Sequence, residues 1–564
     1  ERVGDAKRTI DTVEDLLGVL AREQRGANEM MARCHRVLSH EGLRGDAVKD
    51  IARDIGNFLQ RIFDLLLSKA VEAILARAGL YGRPAELGDY ARQFQSLVVP
   101  DDVADVNQDG AMTDEAFAAM RLAGPNPVML RRIDAVPANF PVDAARFAAI
   151  TKQDLAAALA ASRVYLADYA ALSLQVSGTD PAQKYASAPL ALFALDESRS
   201  ALAPVAIQCG QTPSNACPVF YADEGRSWEL AKIHVQSADG NYHELISHLG
   251  LTHLLVEPFV VATHRNLAQQ HPLFLLLLPH MQGTAFINNA AINSLIAPGG
   301  TVDKLLAGTI ESDWAVSATA LTSLDFNGHM LKNNLKIRGV DDPALLPDYP
   351  YRDDALLLWD AIEGWVGDYL DLYYDSDADV VEDEELQAWY RDLISPEGGT
   401  LSTLGQADPA GGEGRGVFTV AYLKEVVTMV IFTGSVQHAG VNFPQRTIMS
   451  YAPAMPLATY APPPVRVSGA LPADAGLAHL PPLQMGLLQV LVGELLGGVY
   501  FTRLGDYDRH QRQSWFTDRR VDEPLAAFHS NLVAAERTIG ARNLERAIAY
   551  DVMLPSRVPQ SINI

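Results

Sequence analysis

Apolar residues recur at helical spacing over most of the chain after Trp228. The repeats predict at least two helices within 228–280, one over 349–374 and another over 417–442. Between 121 and 250, short runs such as PVAIQC and PVFYA predict β-strands among helical segments. The pattern therefore predicts a mainly α-helical protein with a few short β-strands.

Two other parts of the chain have patterns of their own. Apolar residues at helical spacing over 46–80 predict a helix that packs on the main domain or, alternatively, acts as a mobile lid or touches a membrane. The Gly-rich stretch 396–415 and the Pro- and Ala-rich stretch 452–475 predict surface loops.

The charge of the chain argues against some classes of binding partner. The chain carries 69 acidic against 45 basic side chains, a net charge of -24. This argues against nucleic acid, which binds basic surfaces, and against electrostatic docking on anionic lipid. No run of about 20 uncharged apolar residues is present, so we expect no membrane span.

The cysteines exclude a disulfide scaffold and a cysteine-based metal site, because there are only three: Cys34, Cys209 and Cys217. Cys209 and Cys217 flank the turn-rich segment QTPSNA between two strand-like runs. They either pair across a hairpin or remain two unpaired thiols.

Histidines are concentrated in the segment 242–280, which holds six of the chain's 14. His243, His248 and His253 recur at intervals of five among Leu, Val, Phe and Ile. A buried imidazole needs a partner on each nitrogen, and several at regular spacing suggest that one partner is a metal. The alternative is a set of hydrogen-bonded core histidines.

The spacing of His248 and His253 predicts a locally widened helix. Five residues of a regular α-helix rotate by about 140°, whereas a π-bulge brings both rings to one face. Further on, His438 and Asn442 stand four apart in an apolar segment, where a buried Asn needs an explanation. With the α-carboxylate of Ile564, these residues offer nitrogen and oxygen donors and no sulfur, which suits iron or manganese.

Several motifs together resemble the lipoxygenase family: HELISHLGLTH, LVEPF, ATHR, HPLFLLLLPH, HAGVNFPQ, WELAK, GPNPVMLRR and YPYRDDALLLW. The resemblance begins near residue 120. The N-terminal region does not resemble the β-sandwich domain of plant and animal members, and the chain is more similar to compact secreted bacterial lipoxygenases. The resemblance implies a helical N-terminal region, 1–119, that caps the protein as a lid or membrane contact. It also implies a large helical catalytic domain, 120–564, and a monomer that is secreted or periplasmic.

The resemblance also implies roles for the metal-site residues. The ligands of one non-haem iron would be His248, His253, His438, Asn442 and the carboxylate of Ile564. Manganese remains an alternative. Supporting positions would be His243, Glu244 and Gln445. Glu244 stands where plant members carry a glutamine.

The resemblance also implies a substrate channel, whose positions are assigned by register with His280. The residues that would line it are Phe286, Ile287, Ala291, Leu295, Val302, Leu305 and Leu306. In the family, Ala at position 291 accompanies S products, and the Leu305–Leu306 pair sets pocket depth. The alternative for each residue is ordinary core packing.

The activity that the resemblance implies is dioxygenation of polyunsaturated fatty acids with a cis,cis-1,4-pentadiene. A ferric hydroxide would take hydrogen from the doubly allylic carbon, and O2 would then add to give an S-hydroperoxide. The partners would be fatty acid, O2 and a phospholipid or membrane surface, but no nucleic acid. Two alternatives remain: a hydroperoxide isomerase or epoxyalcohol synthase of the same family, and a catalytically silent lipid-binding protein.

Overall fold

The computed structural model describes residues 80–94, 112–409, 411–412, 414–466, 471–472, 474–497, 502–509, 513–546 and 548–562. Most of the predicted N-terminal region 1–119, including residues 46–79 of the predicted apolar helix, lies outside these residues. Its role as a cap, lid or membrane contact therefore stays a prediction.

Helices dominate the described chain, which confirms the predicted fold class. In chain order the α-helices are α1 (Gly88–Ala91), α2 (Asp114–Ala123), α3 (Ala144–Thr151), α4 (Leu155–Ala160), α5 (Arg226–Tyr242), α6 (Leu254–Asn266), α7 (Pro272–Leu277), α8 (Thr284–Ile292), α9 (Thr301–Leu305), α10 (Ile310–Thr322), α11 (Phe326–His329), α12 (Leu331–Arg338), α13 (Pro350–Leu370), α14 (Asp377–Glu382), α15 (Glu384–Ile394), α16 (Val420–Phe432), α17 (His438–Asn442), α18 (Leu483–Gly497) and α19 (Asp522–Asn543). Short 3-10 helices are Arg92–Phe94, Ala170–Leu174, Leu278–His280, Phe443–Gln445, Ile448–Ser450, Ala475–Ala478 and Arg519–Val521.

Two π-helical segments interrupt the longest helices. The first π segment, His243–His253, joins α5 to α6 in one continuous helix. The second, Thr433–Gln437, joins α16 to α17. A π turn holds about one residue more than an α turn, so residues five apart return to nearly the same face. The widened helix predicted from His248 and His253 is confirmed, whereas nothing in the sequence analysis predicted the second segment.

The strands form one antiparallel sheet and two small hairpins. The sheet has the order β1 (Arg131–Arg132), β2 (Val164–Asp168), β3 (Leu190–Leu195), β4 (Leu202–Gln208) and β5 (Val219–Tyr221). The hairpins are β6 (Gln406–Ala407) with β7 (Arg415–Gly416), and β8 (Asp508–Arg509) with β9 (Gln513–Ser514). The strands predicted at PVAIQC and PVFYA correspond to β4 and β5.

The sheet is covered on both faces, which explains why β3 is apolar throughout. Leu192 pairs with Leu166 and faces a small cluster that also includes residues of α3 and α4. The next pair, Phe193 and Tyr165, faces the main core. Successive side chains of a strand point to opposite faces, so a strand covered twice needs no polar alternation.

An aromatic cluster in the main core holds the C-terminal segment against the helices. Trp365 of α13 stacks on Phe528 of α19 and donates its indole N–H to the Tyr507 hydroxyl at 2.9 Å. The Tyr507 hydroxyl lies 2.7 Å from His280 Nε2, and the other ring nitrogen of His280 lies 2.9 Å from the Gln560 carbonyl. The last described residues are thereby held near the start of α8.

Two helical stretches of the described chain are long and apolar enough to cross a membrane. They are Arg226–Asn266 and Val420–Ser450, and 67% and 89% of their most apolar windows are buried inside the protein. Such burial is typical of central helices of a folded domain.

The structure corrects the prediction for the stretch 452–475 and decides between the two alternatives for Cys209 and Cys217. The stretch 452–475 was expected to be a surface loop, but Ala454, Met455 and Thr459 are fully buried. Their packing against the main core explains the low polarity of that stretch. Cys209 is buried, Cys217 is half-buried, and both thiols are free.

Candidate metal centre

Three of the predicted ligands converge in the interior. His248 and His253 lie on the first π segment, and His438 is the first residue of α17. One nitrogen from each ring lies within 4.8 Å of the others, and all three residues are buried. The Nε2 atoms of His248 and His253 are only 3.2 Å apart. The widened helix thus aims both rings at a point that His438 also faces.

Burial favours the neutral form of His248 and His253. It lowers the pKa of His253 to about 3, with a further contribution from His248, and it lowers the pKa of His248 as well. A neutral imidazole offers a nitrogen lone pair, which is the form that binds a metal ion. Nitrogen donors without sulfur suit a first-row metal such as iron or manganese. The three residues therefore fit the metal that the sequence predicts.

Asn288 on α8 orients His253, and the sequence analysis missed it. Its Oδ1 lies 2.9 Å from His253 Nδ1, while its Nδ2 donates to the His253 carbonyl at 3.2 Å and to Glu257 Oε2 at 2.7 Å. An acceptor at Nδ1 holds the ring proton there and leaves the Nε2 lone pair for the metal. A signal for this role was present in the sequence, because Asn288 stands in the apolar run AFINNAAI. The structure shows that Asn288 is buried.

Asn288→Leu is expected to weaken metal binding by about 10- to 100-fold, as removal of such an orienting partner usually does. Competition with a chelator would measure the affinity. The matched control is Asn289→Leu, since Asn289 is the exposed neighbour on the same helix. Equal affinities for the two variants would contradict the role of Asn288.

The predicted supporting residues surround His248. Gln445 Nε2 lies 3.5 Å from His248 Nδ1, and Glu244 Oε2 lies 3.7 Å from the same atom. Burial raises the pKa of Glu244, but the neighbouring His243 and His248 rings outweigh this and lower it to about 2. His243 Nε2 lies 2.5 Å from the Val441 carbonyl, which accepts from it, so this ring links the first π segment to α17.

Asn442 is buried one turn after His438. Its Oδ1 accepts from Gln445 Nε2 at 3.0 Å, and its Nδ2 donates to the Leu496 carbonyl at 3.2 Å. These two bonds determine the orientation of the amide on the helix that carries His438.

Ile564 lies outside the described residues, so its carboxylate ligand stays a prediction. The residues before it are well anchored. Ser561 Oγ donates to the Gln282 carbonyl at 2.9 Å, and Thr284 Oγ1 donates to the Ile562 carbonyl at 3.4 Å.

The predicted channel residues lie on α8, on the connection after it, and on or directly after α9. Those buried in the main core are Phe286, Ile287, Leu305 and Leu306, and those half-buried are Ala291, Leu295 and Val302. This placement agrees with both the channel role and ordinary packing, so the channel stays a prediction.

A buried polar network contacts the first π segment at Ser247. Arg121 and Asp239 form an ion pair at 3.1 Å with both side chains fully buried. Tyr169 donates to Asp239 Oδ1 at 2.6 Å. Asn126 donates to the same oxygen at 3.2 Å and accepts from Ser247, the residue before His248, at 2.7 Å. The motif GPNPVMLRR, whose role the sequence did not reveal, supplies Asn126 to this network.

Comparison with known proteins gives one consistent result. A model of the lipoxygenase family matches residues 85–552. The chain is 42% identical to the linoleate 9/13-lipoxygenase of Pseudomonas aeruginosa, over 93% of this chain and 78% of that protein. It is 33% identical to the polyunsaturated fatty acid lipoxygenase ALOX15B of Homo sapiens, over 90% of this chain and 73% of that protein. Among solved structures, a coral 8R-lipoxygenase superposes with a TM-score of 0.80 at 30% identity, over 91% of this chain and 75% of that one.

These matches cover most of the chain, including the helices that bring the three histidines together. The family model, the relatives and the solved structure agree with one another, and the chain belongs to the lipoxygenase family of fatty acid dioxygenases.

Proposed function

We propose that the protein is an iron-dependent lipoxygenase that converts linoleate- and arachidonate-type acids to S-hydroperoxides. The observation that carries the proposal is the convergence of three histidine nitrogens within 4.8 Å of one another in a buried interior. The name of the Pseudomonas aeruginosa relative supports linoleate as a substrate.

The protein's own residues would hold and insulate the metal. Iron, when bound, supplies one-electron chemistry with O2 that zinc cannot. His248, His253 and His438 would hold it, with Asn442 beside them and Asn288 orienting one ring. Buried apolar residues along the π segments exclude water, which keeps a fatty acid radical from side reactions.

Metal analysis combined with product analysis tests the proposal. We expect about one iron per chain, and aerobic incubation with linoleate or arachidonate should yield conjugated-diene hydroperoxides that chiral chromatography identifies as S. Manganese in place of iron in the active protein would contradict the metal assignment. Consumption of an added hydroperoxide without O2 uptake would favour the isomerase, and a metal-free protein without turnover would favour the silent lipid-binding protein.

Ala291→Gly is expected to raise the share of R product substantially, because removal of the methyl group opens space for O2 on the other face of the substrate. Chiral analysis of the hydroperoxides measures the change. Ala290→Gly is the matched control, since it makes the same substitution at the neighbouring buried position and carries a similar helix cost of about 1 kcal/mol. Unchanged chirality and regiochemistry in the Ala291 variant would contradict the assignment.

A further inference from the structure

A buried cluster of polar side chains surrounds the C-terminal end of α9, the helix that ends at Leu305 of the predicted channel. Lys184 and Asp313 are fully buried, Asn241 is nearly so, and Gln175 completes the cluster. We call these four residues the Lys184 cluster. It lies outside the metal centre, and the sequence analysis assigned no role to any of its members.

Lys184 donates to backbone carbonyls at the C-terminal end of α9. Its Nζ donates to the Asp303 carbonyl at 2.7 Å and approaches the Lys304 carbonyl at 3.4 Å. In a longer helix the Ala307 N–H would donate to the Asp303 backbone carbonyl. Here the Ala307 N–H donates to Asn241 Oδ1 instead, at 3.0 Å. The lysine thus replaces the missing helical donor, and its charge is favourable at a helix C-terminus.

The Asp313 carboxylate is linked to the segment just after α9 through Gln175 and Asn241. Its Oδ1 accepts from Gln175 Nε2 at 2.8 Å, and Gln175 also donates to Asn241 Oδ1 at 3.0 Å. A Cβ on Gly308 would lie 2.0 Å from Asp313 Oδ1, so only glycine fits between the segment and this carboxylate. The other oxygen, Oδ2, is buried without a hydrogen-bond partner among the described residues.

Backbone bonds complete the attachment of this segment. The Gly178 N–H donates to the Ala307 carbonyl at 2.9 Å, and the Thr309 N–H donates to the Val176 carbonyl at 2.8 Å. Leu305 and Leu306 lie within the stretch that these contacts hold. Asn241 belongs to α5, which runs directly into the first π segment, so the same cluster connects this stretch to the metal-bearing helix.

Keeping such groups inside the protein is costly. Burial lowers the pKa of Lys184 to about 8 and raises the pKa of Asp313 to about 7, and each group partly offsets the other. Lysine and aspartate are rarely buried without a specific partner or role. An apolar pair would fill the space at lower cost, which points to a requirement for exact placement of the segment.

We propose that Lys184 and Asp313 are positioning residues that hold Leu305 and Leu306 at a fixed distance from the metal and thereby select which doubly allylic carbon is oxidised. This inference rests on the proposed function. The depth of the channel determines how far a fatty acid enters, and therefore which carbon lies at the metal.

The test uses the metal-loaded full chain and arachidonate, which has several doubly allylic carbons. In Lys184→Met the two carbonyls lose their donor, and we expect the ratio of the major to the minor positional isomers to fall by about tenfold, the effect of a small change in pocket size. Leu306→Ala, which deepens the pocket directly, should move the ratio in the same direction. The matched control is Lys336→Met, an exposed lysine on α12, which should leave the ratio unchanged.

A merely structural role would lower the melting temperature and the total rate but leave the isomer ratio intact, and that result would overturn the proposal. An unchanged ratio in Leu306→Ala would also overturn it. If Lys184→Met does not fold, Asp313→Ala decides in the same way, since it removes the acceptor of Gln175 Nε2 without adding bulk beside Gly308. Absence of any hydroperoxide from the unaltered protein would instead contradict the proposed function.

Discussion

His253→Ala is expected to remove the bound metal and lower fatty acid oxygenation by more than about 100-fold, the upper range for loss of a merely supporting residue. His253 supplies one of three converging nitrogens, and its neighbour His248 lies 3.2 Å away. Two histidines from different helices would remain, and they would no longer surround the ion. Metal content by mass spectrometry and the rate of diene formation measure the two effects.

His264→Ala is the matched control for this variant. His264 belongs to the same continuous helix but is exposed, and its ring packs edge-on against Phe274. We expect metal content and rate to stay within about twofold of the unaltered protein, as for most exposed positions. A His253 variant that kept its metal and activity would show that the three-histidine site is wrong.

Asp239→Asn is expected to lower the free energy of unfolding by about 3–5 kcal/mol, because it leaves the charge of Arg121 uncompensated in the interior. The two side chains are fully buried and 3.1 Å apart, so water cannot replace the lost partner. Burial by itself raises the pKa of Asp239, and the charge of Arg121 opposes that rise. Urea unfolding at equal metal content would measure the change.

Asp223→Asn provides the comparison. Asp223 also pairs with an arginine, Arg146, but the two side chains are 54% and 36% exposed. Because solvent screens this pair, we expect Asp223→Asn to lower the free energy of unfolding by less than about 1 kcal/mol. Similar losses in the two variants would mean that the buried network around Asp239 contributes no more than a surface ion pair. A weaker metal affinity in Asp239→Asn alone would further link the network to His248 through Asn126 and Ser247.

The sequence predicted the elements that depend on local pattern. The helices over 228–280, 349–374 and 417–442 follow from apolar spacing, and the two strands around QTPSNA follow from short apolar runs bounded by turn residues. The widened helix at His248 and His253 was also predictable, because five-residue spacing has one simple structural solution. The convergence of His438 with these two was predicted from a family resemblance, since spacing within one helix says nothing about a distant one.

Other features depend on contacts between distant segments. The sequence could not predict that residues 452–460 are buried, because Pro and Ala are compatible with both a surface loop and a packed extended segment. Asn288 is 35 residues from His253 along the chain, and only the crossing of α8 with the first π segment makes it an orienting partner. The contact between Lys184 and the end of α9 spans 119 residues and has no counterpart in any local pattern.

The sequence alone determined the helical fold class and the widened histidine helix. Both follow from apolar periodicity and histidine spacing, which are properties of residues a few positions apart. The tertiary structure alone decided which buried polar groups support that helix: Asn288, the Arg121–Asp239 network and the Lys184 cluster. A buried polar group without a hydrogen-bond partner is costly. Its partner can come from a segment far away in sequence, and only the folded structure shows which segment that is.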